Sequence, residues 1–130
     1  MNLESQKIIL KKSAKYVFES LCVVQNFEKL MPENTSKFEV TSEDSFIFGL
    51  KGMPEIKLRI KEKNPNSKII LGAASDKLPF VLIATIESMA EEETQVQLFF
   101  EGEFNAMMAM MIKGPISKFI ETLVDNMVVL

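Results

Sequence analysis

Hydrophobic residues follow two different periods along this 130-residue chain. From Ser36 to Phe104 they recur at every second position, the spacing of a strand that buries one face. Phe38 and Val40 alternate with Lys37, Glu39 and Thr41. After Glu43-Asp44, which reads as a hairpin turn, Phe46, Phe48 and Leu50 continue the alternation. Pro54 precedes the cleanest case: Ile56, Leu58 and Ile60 against Lys57, Arg59 and Lys61. That pattern predicts an antiparallel strand with one wet face. Asn64-Pro65-Asn66-Ser67 reads as a turn, Lys68 to Ser75 as a strand, and Asp76-Lys77-Leu78-Pro79 as a loop. Phe80 to Met89 and Gln95 to Phe104 are then strands joined by the acidic turn Glu91-Glu92-Glu93. Val96, Leu98, Phe100, Gly102 and Phe104 share one face of the last strand. The regular succession of strands and turns predicts a meander of hairpins.

Helical spacing frames this block. Leu3 to Lys12 reads as an opening strand, and Ser13 as the N-cap of a short helix reaching about Val23, with Val17, Phe18 and Leu21 on one side. Asn26 begins a second short apolar pattern, Phe27, Leu30 and Met31, stopped by Pro32. Neither helix is long enough to persist unpacked. The segment from Asn105 to Leu130 is predicted helical, capped by Asn105, with Ile112, Ile116, Phe119, Ile120, Leu123 and Met127 as its apolar stripe. Lys118, Glu121 and Asp125 fall on the opposite side. Pro115 predicts a kink at Gly114-Pro115; the alternative is a helix that begins at Pro115, with Met107 to Ile112 as a loop. No linker or repeat divides the chain, so residues 1–130 are expected to form one domain.

A strand, two short helices, a run of antiparallel strands and one long C-terminal helix: this order resembles the helix-grip fold of the START/Bet v 1-like superfamily. The residues that carry the resemblance are Ile8-Ile9-Leu10-Lys11-Lys12-Ser13-Ala14-Lys15-Tyr16-Val17-Phe18, the Asn26-Phe27-Glu28-Lys29-Leu30-Met31-Pro32 stretch and the closing amphipathic helix. The resemblance implies an α+β fold in which a curved antiparallel sheet of six to seven strands wraps a long C-terminal helix. It also implies a cavity between sheet and helix that holds a hydrophobic small molecule or lipid. The superfamily includes polyketide cyclases and lipid-transfer domains, so the fold alone does not choose an activity. The chain is short for the superfamily, which predicts a small or collapsed cavity.

Composition narrows the chemistry. The chain has no His, no Trp, a single Cys (Cys22), one Tyr and one Arg. Serine and cysteine triads, the usual acid–base residue near neutral pH and most zinc sites are thereby excluded. No metal or cofactor is expected. A net charge of −3 is not the footprint of a nucleic-acid binder. Met1 to Lys12 lacks the apolar core of a signal peptide, and the run Ala106 to Ile112 is far too short to span a membrane. With one cysteine, the expected location is the cytoplasm.

Among candidate site residues, Met107, Met108, Met110 and Met111 cluster at the start of the last helix. They cannot all face one way, and methionine adapts to irregular apolar shapes. Met108, Met111 and Ile112 are therefore taken as ligand-binding, together with Phe46, Phe48, Phe100, Phe104 and Phe119 as cavity walls. For each phenylalanine the plainer reading is a filled core. Gly72-Ala73-Ala74 could leave room beneath the helix. Glu101 and Glu103 share a face, but solvated carboxylates explain them better than acid–base work. Arg59 reads as a solvated edge, Cys22 as a small buried hydrophobe and Tyr16 as a hydrogen-bond donor at a cavity mouth. Val81, Ile83, Thr85, Ile47 and Phe99 fall on the outer parity of the sheet, and a contiguous patch there would support a homodimer. The leading expectation is non-catalytic binding of a hydrophobic small molecule or lipid. The alternatives are an interaction module working through the outer face and a cyclase or dehydratase; the latter needs an inward polar residue, and the pattern offers none.

Overall fold

A computed structural model describes residues 1–53, 55–73 and 80–130. The expectations for Pro54, for residues 74–75 at the end of a strand and for the loop at 76–79 lie outside the described residues. Among the described residues eight strands form one antiparallel sheet: β1 (Asn2–Glu4), β2 (Ile8–Leu10), β3 (Thr35–Ser42), β4 (Ser45–Leu50), β5 (Ile56–Asn64), β6 (Lys68–Ala73), β7 (Phe80–Ala90) and β8 (Glu93–Gly102). The spatial order is β1-β8-β7-β6-β5-β4-β3, and β2 also pairs with β8. Strands β3 to β8 are thus an uninterrupted meander, closed at the β8 edge by the N-terminal segment. Among the described residues three helices complete the fold: α1 (Ala14–Cys22), α2 (Phe27–Leu30) and α3 (Ala106–Asn126), with single 3-10 turns at Val24–Asn26 and Met127–Val129. The curved sheet packs around α3 as the helix-grip arrangement requires.

The opening strand is divided, which corrects the single strand read from Leu3 to Lys12. Glu4 pairs with Phe99 and Ile8 with Val96, so the N-terminal segment spends one residue more than β8 over the same span. Buried Ser5 sits at the break. Its N–H donates to the Leu98 carbonyl, and its hydroxyl accepts from the Leu98 N–H at 2.9 Å. The side chain thereby replaces the ladder bond that the extra residue displaces.

The caps act as the sequence proposes. Ser13 Oγ accepts the Tyr16 N–H at 3.1 Å, and Asn105 Oδ1 accepts the Met108 N–H at 2.8 Å. The Glu43-Asp44 hairpin is present, pairing Ser42 with Ser45. Strand β3 is an edge, so Val40 remains 36% exposed despite its apolar parity. Strand β8 ends at Gly102, two residues earlier than the alternation suggests, and Phe104 lies beyond it.

Helix α3 is continuous through Pro115, so the alternative start at Pro115 does not hold. Its two halves nevertheless differ. Every buried residue of α3 lies after the proline: Ile116, Phe119, Ile120, Leu123 and Val124. The core fills behind this half. Phe48 stacks on Phe119 with centroids 5.0 Å apart, and Phe46 stacks on both Phe27 and Phe38 at 5.2 Å. Asn126 Nδ2 donates to the Leu30 carbonyl and ties the end of α3 to α2. The polar side of α3 is also engaged: Glu121 Oε1 accepts the Gln6 N–H at 3.0 Å, and Asp125 accepts from the Gln6 side chain.

Candidate functional site

The first half of α3 behaves as a cover. Met107, Met110 and Met111 are 74%, 83% and 67% exposed, and no residue from Ala106 to Gly114 is buried. Met108 and Ile112, one turn apart, face inward over a cavity of about 230 Å³. From the sheet side it is walled by Ile56, Phe80 and Phe100, and by Phe104 just past β8. Met111, Pro115 and Ile116 add the helix side, and Gly52 and Met53 close one end.

Phe104 reaches the wall because of Gly102. Its ring lies back over the Gly102 α-carbon and stacks at 9° on Phe100, centroids 6.1 Å apart; Phe100 in turn stacks on Phe80 at 4.9 Å. No other residue type leaves that space at position 102. Met53 is placed by a tight turn. Its N–H donates to the Leu50 carbonyl, and Gly52 adopts φ +82°, the conformation demanded at the third position of a type II turn.

Beside this cavity is a groove of about 380 Å³, lined by Pro32, Asn34, Leu50, Lys51, Gly114, Lys118 and Phe119. The two spaces share Gly52, Met53 and Pro115 as a common wall.

The sequence-predicted residues therefore divide. Phe100, Phe104, Met108, Met111 and Ile112 come together around the apolar cavity. Phe119 lines the neighbouring groove. Phe46 and Phe48 line neither and are fully enclosed in the aromatic core. Sequence reasoning missed Met53, Lys51 and Lys118. Gly52, in a short polar break between two alternating runs, was the available signal for the turn that positions Met53.

Other candidates fall away from the cavity. Glu101 and Glu103 are exposed. Arg59 faces Asp44 at 4.0 Å on the surface. Tyr16 is 47% exposed beneath the Lys12 ammonium, 4.8 Å from the ring centroid, and lines neither space. Cys22 is half-buried, and burial pushes its thiol pKa up. Gly72 is covered by the Lys61 side chain on the outer face, so it leaves no room under α3. No group of three His, Cys, Asp or Glu could hold a metal among the described residues. No helix among them is long and apolar enough to cross a membrane. On the outer sheet face Ile70, Ile83 and Phe99 pair in one cross-strand row with Val81 nearby, whereas Ile47 stands apart between Glu39 and Lys57.

No family model and no curated protein matches this sequence. Solved structures do match over nearly the whole chain. Norcoclaurine synthase from Thalictrum flavum, a point mutant in complex with a transition-state analogue, superposes with a TM-score of 0.74 at 8% identity, covering 98% of this chain and 91% of that one. A START superfamily protein from Mycobacterium smegmatis gives 0.71 at 10% identity, over 98% and 94% of the two chains. The Aha1 dimer from Colwellia psychrerythraea gives 0.62 at 18% identity, over 98% and 96%. The chain has the helix-grip fold of the START/Bet v 1-like superfamily. These proteins share an architecture whose members include enzymes.

Proposed function

We propose that this protein binds a hydrophobic small molecule or lipid tail in the cavity under the first half of α3, without transforming it. The observation that carries the reading is the lining itself: among the described residues not one titratable or hydrogen-bonding side chain faces the space. Such a wall offers a ligand burial and shape but no proton transfer, nucleophile or charge stabilisation. Norcoclaurine synthase indicates that this fold can host catalysis, yet the described residues around the cavity here supply no polar side chain for a reaction. A volume of about 230 Å³ is one and a half times the roughly 150 Å³ void that accepts benzene, so the ligand moiety is small.

Titration with 1-decanol, followed by calorimetry, tests this reading. Saturable binding to the wild-type chain is expected. Ile112→Trp fills the space from the loosely packed half of α3 and should abolish binding while leaving the melting temperature within a few degrees. Undiminished binding by that variant would place the site elsewhere.

A second reading, self-association through the outer sheet face, is favoured by the Ile70–Ile83–Phe99 row. The Colwellia protein of the same fold, described as a dimer, gives it some support. A molar mass that stays monomeric across concentrations in light scattering would remove it.

A further inference from the structure

The two adjoining spaces differ sharply in chemistry. Among the described residues the cavity is lined by apolar side chains alone, whereas the groove presents Asn34, Lys51 and Lys118. Neither lysine forms an ion pair with a described residue, and both belong to the same groove. No acidic side chain lines either space among the described residues. Two ammonium groups that no described carboxylate pairs with, on one groove, run against a chain whose net charge is −3. Only Gly52, Met53 and Pro115 separate them from the apolar space. Met53 is a pliable divider, unbranched and able to change rotamer at little cost.

We propose that the ligand is a single-chain amphiphile with an anionic head, a carboxylate or a phosphate. Its tail occupies the cavity and its head lies in the groove beside Lys51 and Lys118. This rests on the cavity reading above and adds the class of ligand. Lysine suits either head because its ammonium binds anions as a point charge, without the fixed fork that arginine imposes. By proportion to the benzene-sized void, the cavity takes roughly nine carbon atoms, so a ten-carbon chain places its polar end at the shared wall.

The test compares decanoate, decyl phosphate and 1-decanol by calorimetry on the full chain and on a K51Q/K118Q variant. Both lysines are exposed, so folding is not at stake. Wild-type protein should bind the anions about tenfold more tightly than the alcohol, as two partly screened ammonium contacts allow. That preference should shrink with added salt and vanish in the variant, with decanol affinity unchanged. The tighter of the two anions identifies the head. Equal affinity for decanoate, decyl phosphate and decanol overturns the proposal but leaves the cavity reading standing. An anion preference that survives in the variant also overturns it. Failure of all three to bind overturns both.

Discussion

Replacing Gly102 by alanine puts the aromatic wall of the cavity under direct strain. Gly102 pairs with Phe80 across β7 and β8. A methyl group at position 102 would lie 2.6 Å from Cε2 of Phe104 and 2.9 Å from Cβ of Phe80, where ordinary contact begins at 3.4 Å. The Phe80 Cβ is held by the backbone of its strand, so the Phe104 ring has to give. It loses its stack on Phe100, worth about 0.5–1.5 kcal/mol. Residual crowding against Phe80 adds overpacking strain of about 1–3 kcal/mol. A total near 2–3 kcal/mol should lower the melting temperature by roughly 8–12 °C, at about 4 °C per kcal/mol for a domain of this size. Decanol affinity should fall at the same time, because the displaced ring is a cavity wall. The diagnostic comparison is thermal melting of Gly102→Ala in the wild-type and Phe104→Ala backgrounds. Without the ring, two of the three nearest atoms to the new methyl group are gone, and its cost should drop by about 1 kcal/mol or more. Equal costs in the two backgrounds would mean that the ring does not rest on Gly102, and the account of the wall would be wrong.

Other expectations follow from the same geometry. Gly52→Ala meets nothing within 4 Å but forces a side chain into φ +82°, so it should cost about 1–2 kcal/mol through the backbone alone, read as a lower denaturant midpoint. Amide hydrogen exchange should be faster over residues 108–114 than over 118–124, since no residue in the first half of α3 is fully buried and the second half packs into the core; uniform protection along the helix would contradict the cover-and-anchor division. The raised pKa of Cys22 leaves less thiolate at neutral pH, so alkylation should be slower there than for free cysteine and keep rising at pH values where the free thiol has levelled off.

Much of the architecture was legible because it follows from local rules. Alternation located the strands of the meander, Ser13 and Asn105 announced the starts of α1 and α3, and the order of elements indicated the fold. What escaped depends on contacts distant in sequence. Ser5 can divide the opening strand only because β8 supplies Leu98 as its partner. The phenylalanines show the same limit. Phe46 and Phe100 have the same inward parity, yet Phe46 is packed by Phe27 and Phe38, whereas Phe100 faces open volume. Parity reports which face a side chain occupies and is silent on whether something already fills the space. Lys51 and Lys118 lie 67 residues apart and meet on one groove through the turn at Gly52 and the path of α3, which no spacing rule reveals.

The central claim, a cavity that holds a hydrophobic molecule, is tested most directly by native mass spectrometry of the freshly purified protein beside its Ile112→Trp variant. One small hydrophobic adduct per chain, released by organic extraction and missing from the variant, is the predicted result. A bare chain mass in both proteins, or the same adduct on the variant, would contradict it.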